Sequence, residues 1–466
     1  MNLKKIATFA IGPIGAAALG FITLPIITWF FSAEDIGRIS MLQVVTSFSV
    51  LLFCLGLDQA YVREYHEVEQ KPALLKATLM PGFVLLLLVS TVLMLVPGAV
   101  STLLFDIDST AVSALVVFCL LLSFISRFLS LVLRMQERGL AYSMSQALPK
   151  ALFLVVIGLY ILFSFDFDFS HLIDAHVISI SAVTLIFSWN TRGELLASFA
   201  QKVNKEKLIS MLKFGLPLIM GGVAFWGLTA MDKLFLRGLS TFEELGIYSV
   251  AVSFAAAAII FQQIFSTVWA PTVYKWAAEG VNPEKIDQVT EHVLAAVVFI
   301  FALAGLFSWV VSYLLPDTYD KVQYMLVACM AYPLLYTLSE TTAVGIGLTR
   351  KSLYAMVASI AAAVVNLIGN YFLIPVYGAA GAAVSTAIAF WIFLFLRTEF
   401  SCRVWRPLPR KKLYSSTLIS LAAAIAFTLV GEEHYWIFIA FWILMLFVWS
   451  VVFRRSLAGI LLLVRV

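Results

Sequence analysis

Three charged residues lie within apolar stretches of the sequence and are the first candidates for chemistry. Arg127 lies in SFISRFLSLV, Lys150 in QALPKALFLVV and Glu340 in LYTLSETTAVGIG. A guanidinium or an ammonium group binds phosphate, whereas a carboxylate removed from water exchanges a proton or binds a cation. Ionisable residues inside membrane segments are costly and usually functional. These residue types therefore predict anion binding and ion exchange.

The two cations are accompanied by polar residues at helical spacing. Ser143 and Gln146 share one helix face with Lys150, and Ser123 lies one turn before Arg127. Lys150 lies about 15 Å from the start of its helix, near the middle of a bilayer. We therefore expect a cationic, substrate-binding cavity lined by Lys150, Arg127, Gln146 and Ser123. Two alternatives stay open, namely that either cation reaches the membrane surface or that Lys150 pairs with a carboxylate.

Glu340 is the candidate for ion coupling, because a buried carboxylate can take up a proton or bind Na⁺ beside the hydroxyls of Thr337 and Thr341. Its alternative role is that of a fixed partner for Lys150 or Arg127. No cofactor is expected beyond H⁺ or Na⁺ as a coupling ion. The spacing of the cysteines and histidines predicts no metal site.

Two pairs of charged residues near helix ends are candidates for gates or latches. Asp58 and Arg63, in LGLDQAYVREYHE, lie at the inner end of the second apolar stretch, where they form either a structural ion pair or a cytoplasmic gate. Asp232 and Lys233 lie at the outer end of the seventh stretch, where they latch the periplasmic side or anchor the helix at the interface.

The elements that must position these residues are transmembrane helices. Apolar residues make up 62% of the 466 residues, charged residues 12%, and the mean hydropathy is +0.98. An ordinary soluble domain would contain about 25% charged residues. The composition thus predicts an all-α polytopic membrane protein with about 14 transmembrane helices. They are expected at 6–31, 39–60, 78–104, 111–133, 140–163, 170–190, 211–236, 246–271, 288–314, 322–348, 351–372, 378–397, 412–430 and 434–453.

The charges orient this bundle. With both termini in the cytoplasm, only five of the 31 basic residues fall outside the cytoplasmic segments: Arg38, Lys150, Lys233, Arg237 and Lys321. This asymmetry is the positive-inside pattern, so the basic balance indicates orientation and not nucleic-acid binding. The first apolar stretch is too long for a signal peptide and is interpreted as helix 1. A P-loop and common hydrolase motifs are absent from the sequence, which disfavours ATP-driven transport or an enzyme.

A short acidic turn occurs twice, as SAEDIGRIS at 32–40 and TFEELGIYS at 241–249. Both copies fall outside the membrane, after helices 1 and 7, so the two halves have the same orientation and form a parallel repeat. The acidic residues are expected to cap the start of the next helix at its positive end. The repeat predicts two pseudo-symmetric six-helix lobes and alternating access to a central site.

Four stretches resemble a known family: FAIGPIGAAALGFITLPIITWFFSAEDIGRISMLQ, LGLDQAYVREYHE, DKLFLRGLSTFEELGIYSVAVSF and LIPVYGAAGAAVSTAIAF. They are similar to bacterial polysaccharide-biosynthesis transporters, the O-antigen (Wzx-type) flippases of the multidrug/oligosaccharidyl-lipid/polysaccharide superfamily. The resemblance covers the first twelve helices. It implies two six-helix lobes in a V, and movement of undecaprenyl-diphosphate-linked oligosaccharide to the periplasmic leaflet, driven by an ion gradient. Helices 13 and 14 resemble the extra pair of some members.

The sequence thus divides into an N-terminal lobe at 1–192, a cytoplasmic linker at 193–210, a C-terminal lobe at 211–400, and a basic loop with two helices at 401–466. The predicted function is that of a flippase in the bacterial inner membrane. Its partners would be a lipid-linked glycan, membrane lipids and polysaccharide polymerase or chain-length proteins, and no nucleic acid. A drug exporter of the same superfamily is the first alternative, and a membrane polymerase or ligase for O-antigen is the second.

Overall fold

The computed structural model describes residues 3–163, 167–280, 282, 284–454 and 456. For residues 3–11, 13, 14 and 270 only the backbone is described. Throughout the described ranges the regular secondary structure is helical, and the predicted all-α class is confirmed. The chain forms two compact units, the N-terminal unit Met1–Lys233 and the C-terminal unit Leu234–Val466. The boundary falls inside a helix, and the lobe boundaries at 192 and 211 stay a prediction.

The N-terminal unit contains nine complete helices in the part of the chain that is described, and most of a tenth. They are α1 (Leu3–Phe30), α2 (Ala33–Phe53), α3 (Leu57–Glu64), α4 (Lys71–Met94), α5 (Ala99–Phe105), α6 (Thr110–Met135), α7 (Gly139–Leu162), α8 (Phe169–Asn190), α9 (Arg192–Phe199) and α10 (Lys205–Leu239). The short helices α3, α5 and α9 follow long ones and lie at their ends.

The helices of the C-terminal unit are likewise long and short. They are α11 (Phe242–Phe254), α12 (Ala256–Ala278), α13 (Glu284–Leu306), α14 (Val310–Leu314), α15 (Val322–Cys329), α16 (Ala331–Thr342), α17 (Val344–Leu348), α18 (Ser352–Val404), α19 (Lys411–Val430) and α20 (Tyr435–Val452), with a 3-10 helix at Asp317–Tyr319. The last two pack within this unit, α19 on α15 and α18, and α20 on α13.

Twelve described segments are long and apolar enough to cross a membrane, which confirms a multi-pass membrane protein. The fourteen predicted spans also include helix α1, whose apolar part Gly15–Phe30 is shorter, and divide α18 in two. A straight helix of 53 residues would be about 80 Å long, more than twice the hydrocarbon core. Gly378 has the non-helical angles φ 54° and ψ −128° and turns α18 back on itself.

Amide side chains join the two halves of α18. The Nδ2 of Asn366 donates to the hydroxyl of Thr386 at 3.0 Å, and the hydroxyl of Ser385 donates to the carbonyl of Asn366 at 2.9 Å. Asn370 donates to the Oδ1 of Asn366 at 3.2 Å. These buried amides hold one helical hairpin together, which is a common role for amides in membrane bundles.

Both copies of the acidic turn begin a helix, as expected. The hydroxyl of Ser32 accepts from the backbone N–H of Asp35 at 3.1 Å at the start of α2. The hydroxyl of Thr241 accepts from the N–H of Glu244 at 3.2 Å at the start of α11. The helices therefore begin at Ala33 and Phe242, several residues earlier than the predicted 39 and 246, because the turn itself forms the first helical turn.

Small residues set the closest helix pair of the N-terminal unit, α1 and α7. A Cβ on Gly12 would clash with the backbone of Ser143, and one on Gly15 would lie 3.7 Å from the Cβ of Ala147. Without Cβ atoms at these sites the two backbones approach closely, which is how helices associate in lipid. Lys150 lies one helical turn beyond Ala147, at the same contact between α1 and α7.

Candidate functional site

Arg127 and Asp58 form an ion pair in the N-terminal unit. The Nη2 of Arg127, on α6, lies 2.7 Å from the Oδ2 of Asp58 at the start of α3. The side chain of Asp58 is 11% exposed and that of Arg127 is 38% exposed. A charge-assisted hydrogen bond of this length compensates both ions where water is scarce, and leaves part of the guanidinium open to a second anion.

The backbone before Asp58 explains its position. Gly56 has φ 66° and packs directly against the backbone of Gly215 on α10, so that a Cβ at either glycine would clash. Leu55 also has a positive φ of 53°. This bend ends α2 and aims the first turn of α3 toward α6. The sequence motif LGLD therefore encodes a turn that delivers a carboxylate to Arg127.

The expected pairing of Asp58 with Arg63 is wrong. The guanidinium of Arg63 lies 4.5 Å from the centre of the Phe214 ring, whereas Asp58 bonds to Arg127. Asp58 and Arg63 lie at opposite ends of α3, an eight-residue helix, so that they point to different neighbours. Whether either residue gates the cytoplasmic side stays a prediction.

Lys150 is held against α1. Its Nζ donates to the carbonyl of Ala16 at 2.8 Å. A Cβ on Gly20 would come within 2.9 Å of the same Nζ, so this glycine leaves room for the ammonium group. Among the described residues the hydrogen-bond partner of Lys150 is this backbone carbonyl. The alternative of a pair with a carboxylate such as Glu340 stays a prediction.

The polar neighbours of the two cations remain on their predicted helices. Ser143 is fully buried at the contact with α1, and Gln146 is half-buried one turn before Lys150. Ser123 is half-buried, with its Oγ 4.0 Å from the Sγ of Cys119. The structure places the four predicted cavity residues on α6 and α7, and their contact with substrate stays a prediction.

Asp232 and Lys233 lie in the last part of α10, as the sequence places them. Asp232 is 1% exposed and Lys233 is half-buried. Nearby Arg237 lies over the Phe242 ring at 4.7 Å. Whether this end of α10 latches the periplasmic side or anchors the helix at the interface stays a prediction.

Glu340 lines a cavity of about 310 Å³ in the C-terminal unit. The Oε2 of Glu340 accepts from the hydroxyl of Ser266 at 2.5 Å, and its backbone carbonyl accepts from the indole of Trp269 at 3.1 Å. Both donors lie on α12. Glu340 lies in the last turn of α16, three residues before Ala343, and both residues line the cavity.

The predicted threonine partners of Glu340 are turned away. The hydroxyl of Thr337 donates to the carbonyl of Pro333 at 2.7 Å, and that of Thr341 to the carbonyl of Leu338 at 2.8 Å. Both side chains are fully buried and neither lines the cavity. Both hydroxyls are taken up by carbonyls of their own helix, and Ser266 from another helix bonds to Glu340 instead.

Arg397 is the functional candidate that sequence reasoning missed. The predicted span ends at 397 and places Arg397 at the cytoplasmic boundary, but α18 continues to Val404. Its Nη1 donates to the hydroxyl of Ser339 at 2.7 Å, and its guanidinium lies 4.9 Å from the Phe393 ring centre. Arg397 lines the same cavity as Glu340. The apolar run FWIFLFL ends directly before Arg397 and is followed by TEFSCRV, so hydropathy alone does not signal that the helix continues.

A metal centre is not part of this arrangement: among the described residues, no cluster of three His, Cys, Asp or Glu side chains is placed to hold a metal ion. The chemistry available is therefore that of cations and carboxylates on separate helices. The N-terminal unit offers Arg127 with its counter-ion and Lys150. The C-terminal unit offers Glu340 and Arg397 in one cavity.

The sequence model of a family described as "polysaccharide biosynthesis protein" matches residues 2–276, more than half of the chain. The chain belongs to this family. The resemblance noted from the sequence motifs is thereby confirmed. A curated relative is 22% identical over 203 residues, namely a probable low-salt glycan biosynthesis flippase, Agl15, of Haloferax volcanii. The match covers 42% of this chain and 42% of the relative.

Solved structures share the fold at low identity. A lipid II flippase, MurJ, in an inward closed conformation has a TM-score of 0.69 at 15% identity, covering 97% of this chain and 99% of that one. An inward-facing multidrug resistance transporter of the MATE family has a TM-score of 0.56 at 14% identity, covering 85% and 94%. These similarities confirm the polytopic fold of the superfamily and show nothing about substrate.

Proposed function

We propose that this protein is a flippase that moves undecaprenyl-diphosphate-linked oligosaccharide from the cytoplasmic to the periplasmic leaflet by alternating access. The observation that carries the proposal is the Arg127–Asp58 pair, a partly exposed guanidinium inside apolar helices with a replaceable counter-ion. A diphosphate accepts two parallel hydrogen bonds from a guanidinium and competes with the aspartate for it. Lys150, whose Nζ donates to a backbone carbonyl, adds a second positive charge.

Membership of the polysaccharide biosynthesis family supports a glycan substrate. The Haloferax volcanii relative is named as a glycan biosynthesis flippase, and MurJ as a lipid II flippase. The relatives are named as flippases and transporters, in agreement with the prediction that this chain is not an enzyme. We place the protein in the bacterial inner membrane with both termini in the cytoplasm, and O-antigen, capsule or exopolysaccharide units are the candidate cargo.

An ion gradient is the proposed energy source, with H⁺ or Na⁺ as the ion and Glu340 as its site. In support, the carboxylate of Glu340 lies in a cavity and accepts a hydrogen bond from Ser266. Partners in a polymerase or chain-length assembly follow from the proposed pathway of the cargo.

A drug exporter of the same superfamily remains the competing function, since MATE transporters share the fold. Its cationic substrates would need a carboxylate open to the cargo in the N-terminal unit. Asp58, the carboxylate near Arg127, is almost buried and already bound. The charge that this pair leaves partly exposed is positive, and it favours an anionic cargo.

The test is transport by purified protein in proteoliposomes that contain undecaprenyl-diphosphate-linked sugar on one leaflet. We expect transbilayer movement without ATP, and Arg127→Gln should slow it by about tenfold, because a charge-assisted hydrogen bond contributes about 1.5–3 kcal/mol. Arg134→Gln is the matched control, since Arg134 lies two turns further along α6 against Tyr142. Movement of cationic drugs in place of the lipid would support the exporter instead.

A further inference from the structure

The cavity of the C-terminal unit is more cationic than a site for a coupling ion needs to be. Arg397 and Arg350 both line it, together with Glu340 and Ser266. Arg350 is exposed at the mouth, where its φ of 57° marks a tight turn before α18. A volume of about 310 Å³ is at the lower end of ligand sites, which measure about 300–1,000 Å³.

Arg397 retains hydrogen-bonding capacity at this cavity. One of its terminal nitrogens bonds to Ser339, whereas its Nε is buried and has no hydrogen-bond partner among the described residues. A buried guanidinium donor without an acceptor is costly, and the charge of the guanidinium as a whole is left to be balanced by an anion in the cavity that Arg397 lines. Phe393 packs on the guanidinium face, which fixes the plane of the fork.

Glu340 does not supply the missing acceptor. Its Oε2 accepts from Ser266 on α12, and within the described ranges no ion pair with Arg397 is formed. The carboxylate and the guanidinium therefore line one cavity without bonding to each other.

The start of α18 faces the same cavity. Ser352, the first residue of this helix, and Ala355 in its first turn line the wall. The preceding residue, Lys351, has a side chain that makes no capping hydrogen bond, so the first N–H groups of a long helix are not capped by it. A helix start of this kind favours an anion through its N–H groups and its dipole.

The remaining wall is apolar. Trp269 and Val273 are buried there, and Tyr274 is half exposed at its edge. A cavity with an arginine and a helix start on one side, and aromatic and aliphatic groups on the other, suits an amphiphile with a charged end. By the charge distribution along the sequence, the turn at Arg350 and Lys351 belongs to the cytoplasmic side.

We propose that this cavity is a second anion site that binds the phosphate-bearing headgroup of a lipid through Arg397, Arg350 and the start of α18. The proposal deepens the proposed function, because it gives the C-terminal unit a contact to the phosphate end of the cargo or of a surrounding lipid. Glu340 then lies beside the bound anion, and its proton or cation occupancy is linked to anion binding.

Binding is measured on the purified full-length protein by isothermal titration calorimetry with inorganic pyrophosphate. We expect Arg397→Gln to weaken the binding at this site by at least about tenfold, as one charge-assisted bond and one charge are lost. Arg397→Lys keeps the charge and should bind more tightly than Arg397→Gln. Arg403→Gln, an exposed arginine on the same helix, is the matched control and should bind as the wild type does.

Further arms identify the source of the phosphate. Undecaprenyl diphosphate and phosphatidylglycerol are each added as competitors in detergent, and competition by either one identifies a lipid headgroup as the ligand. If neither competes, the site takes a free anion and the lipid proposal fails. The proposal is also overturned if the wild type binds no pyrophosphate, or if Arg397→Gln binds it unchanged.

Ser339→Ala is a second test of the site, to be used if Arg397→Gln does not fold. It removes only the hydroxyl that positions the guanidinium, so pyrophosphate binding should fall by a smaller factor, and unchanged binding would contradict the proposal. The flippase proposal is tested separately by transport. Proteoliposomes that move no lipid while Arg397-dependent pyrophosphate binding persists would remove the proposed function and leave the anion site.

Discussion

A charge inside apolar helices needs a partner, and the N-terminal unit uses two kinds. Arg127 has a carboxylate, Asp58, at 2.7 Å, whereas Lys150 has a backbone carbonyl, Ala16, at 2.8 Å. An aspartate neutralises its cation, but a carbonyl only solvates one. We therefore propose that Lys150 keeps its full charge for an incoming anion and that Arg127 exchanges Asp58 for it.

The strength of the Arg127–Asp58 pair is accessible to a double-mutant cycle. Arg127→Ala and Asp58→Ala each leave an ion without its partner in a poorly solvated place, so each should lower the melting temperature of the purified protein. The double variant should be less destabilised than the sum, by about 1 kcal/mol, because the partial exposure of Arg127 weakens the pair. Additive effects would show that the two ions are not coupled.

The space beside Lys150 can be filled by a substitution that leaves the lysine itself in place. Gly20→Leu places a side chain where the ammonium group lies, because a Cβ there is only 2.9 Å from the Nζ. We expect reduced glycan export by a strain that carries this variant, at normal protein levels in the membrane. Gly158→Leu, on α7 with open space around it, is the control and should export normally. Full export by both variants would remove Lys150 from the transport path.

At this scale the sequence predicts which residues matter better than it predicts their partners. Lys150 and Glu340 were recognisable because a charge interrupts an apolar run. Asp58 was assigned to Arg63, which is near in sequence, but its partner Arg127 comes from a helix 69 residues later. Arg397 was missed because a charge near a predicted helix end resembles an interfacial anchor. Partner choice depends on helix packing, which the local sequence does not contain.

At the scale of elements, both copies of the acidic turn begin a helix, and each copy makes a different tertiary contact. In the first copy Asp35 bonds to Arg38, whose Nε donates to the carbonyl of Phe105 at 3.2 Å. In the second copy Glu244 accepts from the N–H of Ala379 at 2.7 Å, directly after the turn at Gly378. Each turn thus begins its own helix and fixes the end of another.

In the second copy's contact, Gly378 is the residue that we expect to be most sensitive to substitution. Gly378→Ala should lower stability by at least about 1 kcal/mol, since an L-residue is strained at φ 54°. Its Cβ would also run into the carboxylate of Glu244. Thermal unfolding followed by tryptophan fluorescence measures the loss. Gly158→Ala, in the interior of α7, should be neutral or slightly stabilising, and an equal loss in both variants would argue against a special role for Gly378.

The order of the long helices was predictable, because each apolar run is long enough to span a bilayer. That a helix follows each acidic turn was predictable, but the exact starts of α2 and α11 were not, since the turn is itself helical. The capping groups are the hydroxyls of Ser32 and Thr241, and not the acidic side chains that the sequence led us to expect.

Pro333 lies three residues after the break at Met330 and lacks the N–H that would bond across it. Gly345, two residues after Ala343, is too weak a signal to fix the end of α16 beside Glu340.

At the scale of the whole molecule, the distribution of basic residues predicts the orientation in the membrane. Single cysteines test it in a variant that lacks the four native ones. A membrane-impermeant thiol reagent should label Asp317→Cys in the loop before α15 from the periplasmic side. Arg410→Cys, directly before α19, should react only after the cells are permeabilised. The reverse pattern would invert the proposed direction of transport.

The central claim is that the cargo is a lipid-linked glycan, and the leaflet on which that lipid collects tests it most directly. The gene is deleted in its host, and undecaprenyl-diphosphate-linked oligosaccharide is quantified on each side of the inner membrane. The account predicts that one such lipid accumulates on the cytoplasmic leaflet, and that the wild-type gene, but not Arg127→Gln, restores its export. Unchanged surface polysaccharide with lowered drug tolerance would contradict the claim.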